Sequence, residues 1–138
     1  MIRVVIDTNV WISSLSKFSE SHWLIESFLN EEFTLAVTTE ILLEYKEKLK
    51  EKYSHRTAED FLEAMTVALN VEMITLHFQW HLIPDSDDNK FADCAIAAGA
   101  DFLVTEDHDF DVLKQSDFPR MRVLTLRDFK SEIFPRTE

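Results

Sequence analysis

The chain has 138 residues, enough for one substantial core and short for two domains. A hydrophobic share of 46% with 11 Phe and 3 Trp excludes a disordered chain, and no run approaches 18 apolar residues, so no membrane span is predicted. The formal net charge of −12 opposes non-specific nucleic-acid binding, which is driven by phosphate neutralisation, and suits a chain that meets a basic partner.

In chain order, Ile2–Ile6 is a short apolar run ended by Asp7 and reads as the first strand; Asp7 also comes too early for a signal-peptide apolar segment. Trp11, Ile12 and Leu15 have helical spacing, and Leu24, Ile25, Phe28 and Leu29 repeat it more strongly. Phe33–Thr38 is predicted as a second strand, followed by a helix capped at Thr38 or Thr39. In that helix Ile41, Leu42, Tyr45, Leu49 and Tyr53 share one arc, with Glu44 just beyond its edge. Thr57 is expected to cap the next helix, whose buried stripe is Phe61, Leu62, Met65 and Leu69.

Val71–Leu76 reads as a third strand, and His77–Ile83 has no assignable type. With a single Gly in the chain, Asp85–Asp88 must turn on Asp and Ser side chains and the neighbouring Asn. Asp87 or Asp88 starts a helix with Phe91, Ala95 and Ala98 inward, ended by Gly99. Cys94, the lone cysteine, is a small core residue and fits a reducing compartment. Asp101–Thr105 is a fourth strand, Asp109–Lys114 a brief helix, Arg122–Leu126 a fifth strand, and a last helix runs through Phe129 and Ile133. Strands separated by helices predict a parallel α/β sheet of five strands, covered on both faces.

In such sheets ligands bind beyond the carboxyl ends of the strands, where strand order reverses. Asp7 and Asp107 each follow an apolar strand, and Glu44 and Asp93 lie on the helices nearest those ends, so four acids distant in sequence can meet at one edge. Taken singly, each has an ordinary reading as well. Asp7 is a ligand or a helix cap. Glu44 is a site acid or a surface partner of Lys48, and Glu40 and Glu47 stand equally on composition. The stretch from Asp85 to Asp111 is more informative, because its eight Asp and one Glu surround the packable AIAAGADFLV. Asp87 and Asp88 are natural caps, whereas Asp93 sits between Ala92 and Cys94, an apolar setting that favours a functional role. Asp107 is nearest its strand end, with Asp109 as auxiliary, and His108 reads as an exposed loop residue.

Carboxylate oxygens suit Mg²⁺ or Mn²⁺, and neither a Cys/His zinc pattern nor an EF-hand loop is present. An ion so held can activate water and neutralise an attacked phosphate. A phosphatase using Asp7 as nucleophile fits less well, since Asn9 and Trp11 stand where a D-x-D-x-T pattern has its second acid and its threonine.

Four segments carry a family resemblance: VVIDTNVWIS from Val4, TTEILLEYKEKL around Glu44, DDNKFADCAIAAGADFLVTEDHDF from Asp87, and RVLTLRDF from Arg122. Together they resemble PIN-domain proteins, close to the toxin branch of prokaryotic toxin–antitoxin systems. The resemblance implies a PIN-like three-layer α/β/α fold with a central, mostly parallel five-stranded sheet, spanning residues 1–138 as one domain. It further implies a Mg²⁺- or Mn²⁺-dependent endoribonuclease that leaves a 5′-phosphate and a 3′-hydroxyl. The family's acids fall on Asp7, Glu44, Asp93 and Asp107, with Asp88 and Asp109 as auxiliary or water-mediated ligands and Asn9 and Thr105 in support.

The implied partners are RNA, a small antitoxin protein and a second copy of the chain, as in a homo-oligomer such as a dimer, in the cytoplasm. A DNA-directed nuclease and a catalytically weak PIN-like module binding RNA or protein are the rival readings. Glu106 departs from the Gly that the branch often has before the last acid. Lys46, Lys48, Lys50, Lys52 and Arg56 alternate with acids and read as a solvated helix face, and His77, Trp80 and His81 form either a base-stacking or a packing patch.

Overall fold

The computed structural model describes residues 1–115 and 121–135. Five strands form one all-parallel sheet: β1 (Arg3–Ile6), β2 (Thr34–Val37), β3 (Val71–Met73), β4 (Phe102–Val104) and β5 (Val123–Leu124), in the order β3-β2-β1-β4-β5. The helices are α1 (Thr8–Ser14), α2 (Trp23–Leu29), α3 (Thr39–Lys52), α4 (His55–Val67), α5 (Asn89–Ala98) and α6 (Leu126–Ile133), with a 3-10 segment over His108–Gln115. The five strands and the parallel α/β class are as the sequence predicts.

Consecutive residues of the inner strands, Val4 to Ile6, Leu35 to Val37 and Leu103 to Val104, are all fully buried. Side chains alternate between the two faces of a sheet, so both faces are covered. The apolar arcs do this covering. Trp11 of α1 packs edge-on against Phe28, Tyr45 and Phe61, joining α1 to α4 in one aromatic group. Phe129 of α6 meets Phe33 and Phe102, while α5 lies against β1, β2 and β4.

Strand order places the site. From β1 the chain steps outward to β2 and β3, then returns through α5 to the other side of β1 and continues to β5. Order therefore reverses between β1 and β4, the place where such sheets bind ligands, past the carboxyl ends of the strands. The ladder extends one residue past β1, since Asp7 N donates to Val104 O at 3.0 Å.

Several boundaries differ from expectation, each for a local reason. β3 stops at Met73 rather than Leu76 because its partner β2 stops at Val37, whose carbonyl takes a last bond from Ile74 N. Residues 74–88 then run without regular structure. Ser54, not Thr57, caps α4: the Ser54 hydroxyl accepts Thr57 N at 3.0 Å. That helix ends before Leu69, which is exposed. Thr38 caps α3 as predicted, accepting Ile41 N at 3.1 Å. Tyr53 leaves the buried arc and donates its hydroxyl proton to Ile12 O.

The expected turn on Asp and Asn side chains is present. Asp85 Oδ1 accepts Asp87 N, and the Asn89 amide clasps both N and O of Ile83 at 2.9 Å. Cys94 is fully buried in α5, and burial, then the charges of Asp93 and Glu72, push its thiol up to about 12. Gly99 follows α5 at φ 59°, with open space where a Cβ would go. Gly99→Ala should therefore cost about 1–2 kcal/mol through backbone strain alone, read as a lower denaturation midpoint with an unchanged m-value.

Candidate active site

Asp7 sits where β1 hands over to α1, only 6% exposed, with no side-chain capping bond. Its carboxylate instead faces β4: Thr105 Oγ1 donates to Asp7 Oδ2 at 2.8 Å and accepts Asp107 N at 3.0 Å. One buried hydroxyl thus ties the ends of both switch-point strands and orients two acids. Asp107 Oδ1 in turn accepts Asp109 N at 2.9 Å, turning the chain into the 3-10 segment. Glu44 reaches the same edge from α3, taking a hydrogen bond from the Thr8 hydroxyl on Oε2 and an ion pair from Lys90 Nζ on Oε1 at 2.8 Å.

Electrostatics group these residues. Burial raises the Asp7 carboxyl above its ordinary value of 3.8, and the charges of Glu44 and Asp107 add to this while the Thr105 bond opposes it. Burial and then Asp85, Asp107, Asp7 and Asp109 push Asp88 up to about 7. Asp88 is at the N-terminal boundary of α5 without capping it, and its Oδ2 is buried with no hydrogen-bond partner among the described residues. Oxygens of Asp85, Asp88 and Asp109 lie within 4.8 Å of one another.

A buried acceptor with no donor, facing other carboxylates, needs a proton or a cation. The donor set is hard oxygen throughout, the kind Mg²⁺ and Mn²⁺ take, so these residues fit such an ion.

The structure thus brings Asp7, Glu44, Asp107, Asp88 and Asp109 to one edge, together with Asp85. Asp93 is not among the acids whose charges act on Asp7 and Asp88. That side chain is 4% exposed, its Oδ1 accepts Trp80 N at 3.0 Å, and it lines a cavity with Glu40, Leu76, His81, Asn89 and Lys90. Its burial answers a backbone donor of the irregular 74–88 connection. Thr105 is buried at the centre, as expected of a supporting residue, whereas Asn9 is exposed and its neighbour Thr8 makes the bond to Glu44.

Glu106 keeps a negative φ and accepts Leu126 N at 2.7 Å, so the departure from Gly is absorbed as an anchor for the start of α6. His108 is exposed and pairs with Asp111. Lys46, Lys48, Lys50, Lys52 and Arg56 are all exposed, with Lys48 and Arg56 paired to Glu51 and Asp60 on their own helices. Sequence reasoning missed Lys90, whose only signal is a lysine set directly before Phe91 and Ala92 at a helix start.

The raised carboxyls make stability pH-dependent. Asp88 is protonated in both states below the ordinary value of 3.8; between there and about 7 the unfolded chain releases its proton first, so stability falls as pH rises. Asp7 shifts in the same direction. The metal-free protein should thus melt lower near roughly pH 8 than near roughly pH 5, with Mn²⁺ narrowing the gap and Asp88→Asn shrinking it without metal. Thermal melts with and without chelator check this; a gap that Mn²⁺ leaves unchanged would contradict it.

The family model for the PIN domain matches residues 3–109. No curated protein matches the sequence. Among solved structures, the chain is similar to VapBC2 from Rickettsia felis bound to a promoter DNA fragment, with a TM-score of 0.60 and 19% identity, covering 90% of this chain and 98% of that one. It is also similar to DNA-bound VapBC from Salmonella typhimurium, at TM-score 0.60 and 17% identity, over 91% and 99% of the two chains. VapC20 from Mycobacterium tuberculosis, a toxin that cleaves the sarcin-ricin loop, matches at TM-score 0.58 and 16% identity, over 78% and 92%. At these identities the likeness is one of fold. The family match runs from the first strand through the acids that follow the fourth, and on that ground the chain belongs to the PIN domain family.

Proposed function

We propose that this chain is a Mg²⁺- or Mn²⁺-dependent endoribonuclease acting as the toxin of a toxin–antitoxin pair. The observation that carries the reading is the buried, partnerless Oδ2 of Asp88, set among acids at the sheet's switch point. Asp88, Asp109 and Asp85 would hold the ion, with Asp7 and Asp107 beside them directly or through water. A divalent ion there supplies Lewis-acid polarisation of the phosphodiester and activation of water.

The chain's own residues do the positioning. Thr105 fixes Asp7 and Asp107 relative to each other across two strands, which keeps the acids in register without solvent reorganisation. Asp7, buried and held by the Thr105 hydroxyl, would orient the attacking water or the ion. Glu44, held at one oxygen by Thr8 and at the other by Lys90, would close the α3 side of the cluster.

The toxin role draws on the family match and on the likeness to VapBC assemblies. A small antitoxin that covers the site, self-association and action in the cytoplasm belong to the same proposal. No helix among the described residues is long and apolar enough to cross a membrane. RNA is preferred over DNA as substrate by analogy with the toxin that cleaves the sarcin-ricin loop, and matched substrates decide it.

The test is cleavage of single-stranded and structured RNAs, and matched DNAs, by purified protein with Mn²⁺, Mg²⁺ or chelator. Asp7→Asn and Asp88→Asn should each lower metal-dependent cutting by about 10–100-fold or more, the range for groups that support a metal. Asp93→Asn should lose less than Asp88→Asn, and the reverse order would return Asp93 to the site. Equal cutting by wild type and both site variants would overturn the assignment. Metal binding without cleavage of either nucleic acid would mark a PIN-like binding module.

A further inference from the structure

Lys90 is the one lysine that the fold buries among the described residues, and it is buried against the acidic edge. It lies in the first turn of α5, two residues past Asp88, and is only 9% exposed. Its ammonium is 2.8 Å from Glu44 Oε1, donates to Asp87 O at 2.6 Å, and sits 5.4 Å from the centre of the Phe91 ring. Exposed ion pairs contribute little and are readily exchanged, but a buried one is strongly destabilised when either partner is removed.

Both Glu44 oxygens already have a donor. Oε1 is held by Lys90 and Oε2 by the Thr8 hydroxyl. The acidic cluster therefore has two unlike sides. On the Asp88 side a carboxylate oxygen has no donor at all, and on the Glu44 side both oxygens already have one, including a full positive charge. Two-ion phosphodiesterase sites place two divalent cations about 3.5–4 Å apart. Here a covalently tethered monovalent cation already stands on one side. An ammonium has three N–H donors, and the acceptors Glu44 and Asp87 use two, which leaves a third.

We infer that Lys90 is the built-in second cation of this site: it occupies the Glu44 side, so that the chain takes a single divalent ion, held on the Asp88 side. The inference rests on the metal-site reading given above and assigns its stoichiometry. Lys90 acts by holding Glu44 and by supplying charge, so the position requires a cation and not merely a long side chain.

Counting bound Mn²⁺ per chain, by calorimetric titration and by the electron paramagnetic signal of free Mn²⁺, tests this without any substrate. Wild type is expected to bind one ion, and Lys90→Arg, which keeps the charge, one as well. Lys90→Met, with Glu44 released, is expected to bind two, and the double variant K90M/E44Q one again. Should K90M not fold, Lys90→Gln, which removes the charge and keeps the side chain polar, takes its place with the same expected count of two.

Two ions in wild type would overturn the inference while leaving the nuclease reading intact. A folded K90M or K90Q that still binds one ion would overturn it too. No ion bound by wild type would sink the metal-site reading, and this inference with it.

Discussion

Carboxylates crowd at the carboxyl end of β1 and β4, and the rest of the structure is organised by how their repulsion is met. Asp7, Glu44, Asp85, Asp88, Asp107 and Asp109 arrive there from four different parts of the chain. Like charges so gathered in a half-buried edge favour protonation or unfolding unless something opposes them. The fold opposes them unevenly. Thr105 and Thr8 give hydroxyl protons to Asp7 and Glu44, Lys90 gives a full charge to Glu44, and Asp88 receives nothing. The unmet remainder is what gives the edge a use.

That edge exists because the sheet is parallel and its order reverses. A parallel sheet points every strand's carboxyl end the same way, and the reversal between β1 and β4 splays the connections that leave them. Asp7 and Thr105 therefore meet across a distance of 98 positions through a single hydrogen bond. The irregular connection 74–88 delivers Asp85 and Asp88 to the same place, steadied by the Asn89 clasp on Ile83 rather than by strand pairing. Rigid strands set one half of the site and side-chain-built turns set the other.

Much of this was legible in the residues. β1, β2, β4 and the apolar arc of α3 follow from period and run length, because their burial is decided by the pattern itself. Asp7, Glu44 and Asp107 follow from being next to those elements. The different surroundings of Asp88 and Asp93 were not legible. An acid at a helix boundary looks like an ordinary cap, and an acid flanked by Ala92 and Cys94 looks purposeful. What separates them is a tertiary fact: Trp80 N, on a connection with no periodicity, reaches Asp93, while Asp88 has no donor. The end of β3 was hidden likewise, since it is set by the length of β2 rather than by its own residues.

Cys94 adds a practical consequence. Its thiol is sealed inside α5 and held far from the thiolate form that alkylating reagents attack. The helix that shields it is the one that carries Lys90 and begins beside Asp88. Iodoacetamide can then reach the sulfur only when that helix lifts from the sheet, so the pace of carbamidomethylation, followed by mass spectrometry, becomes a clock for how often the working edge comes apart.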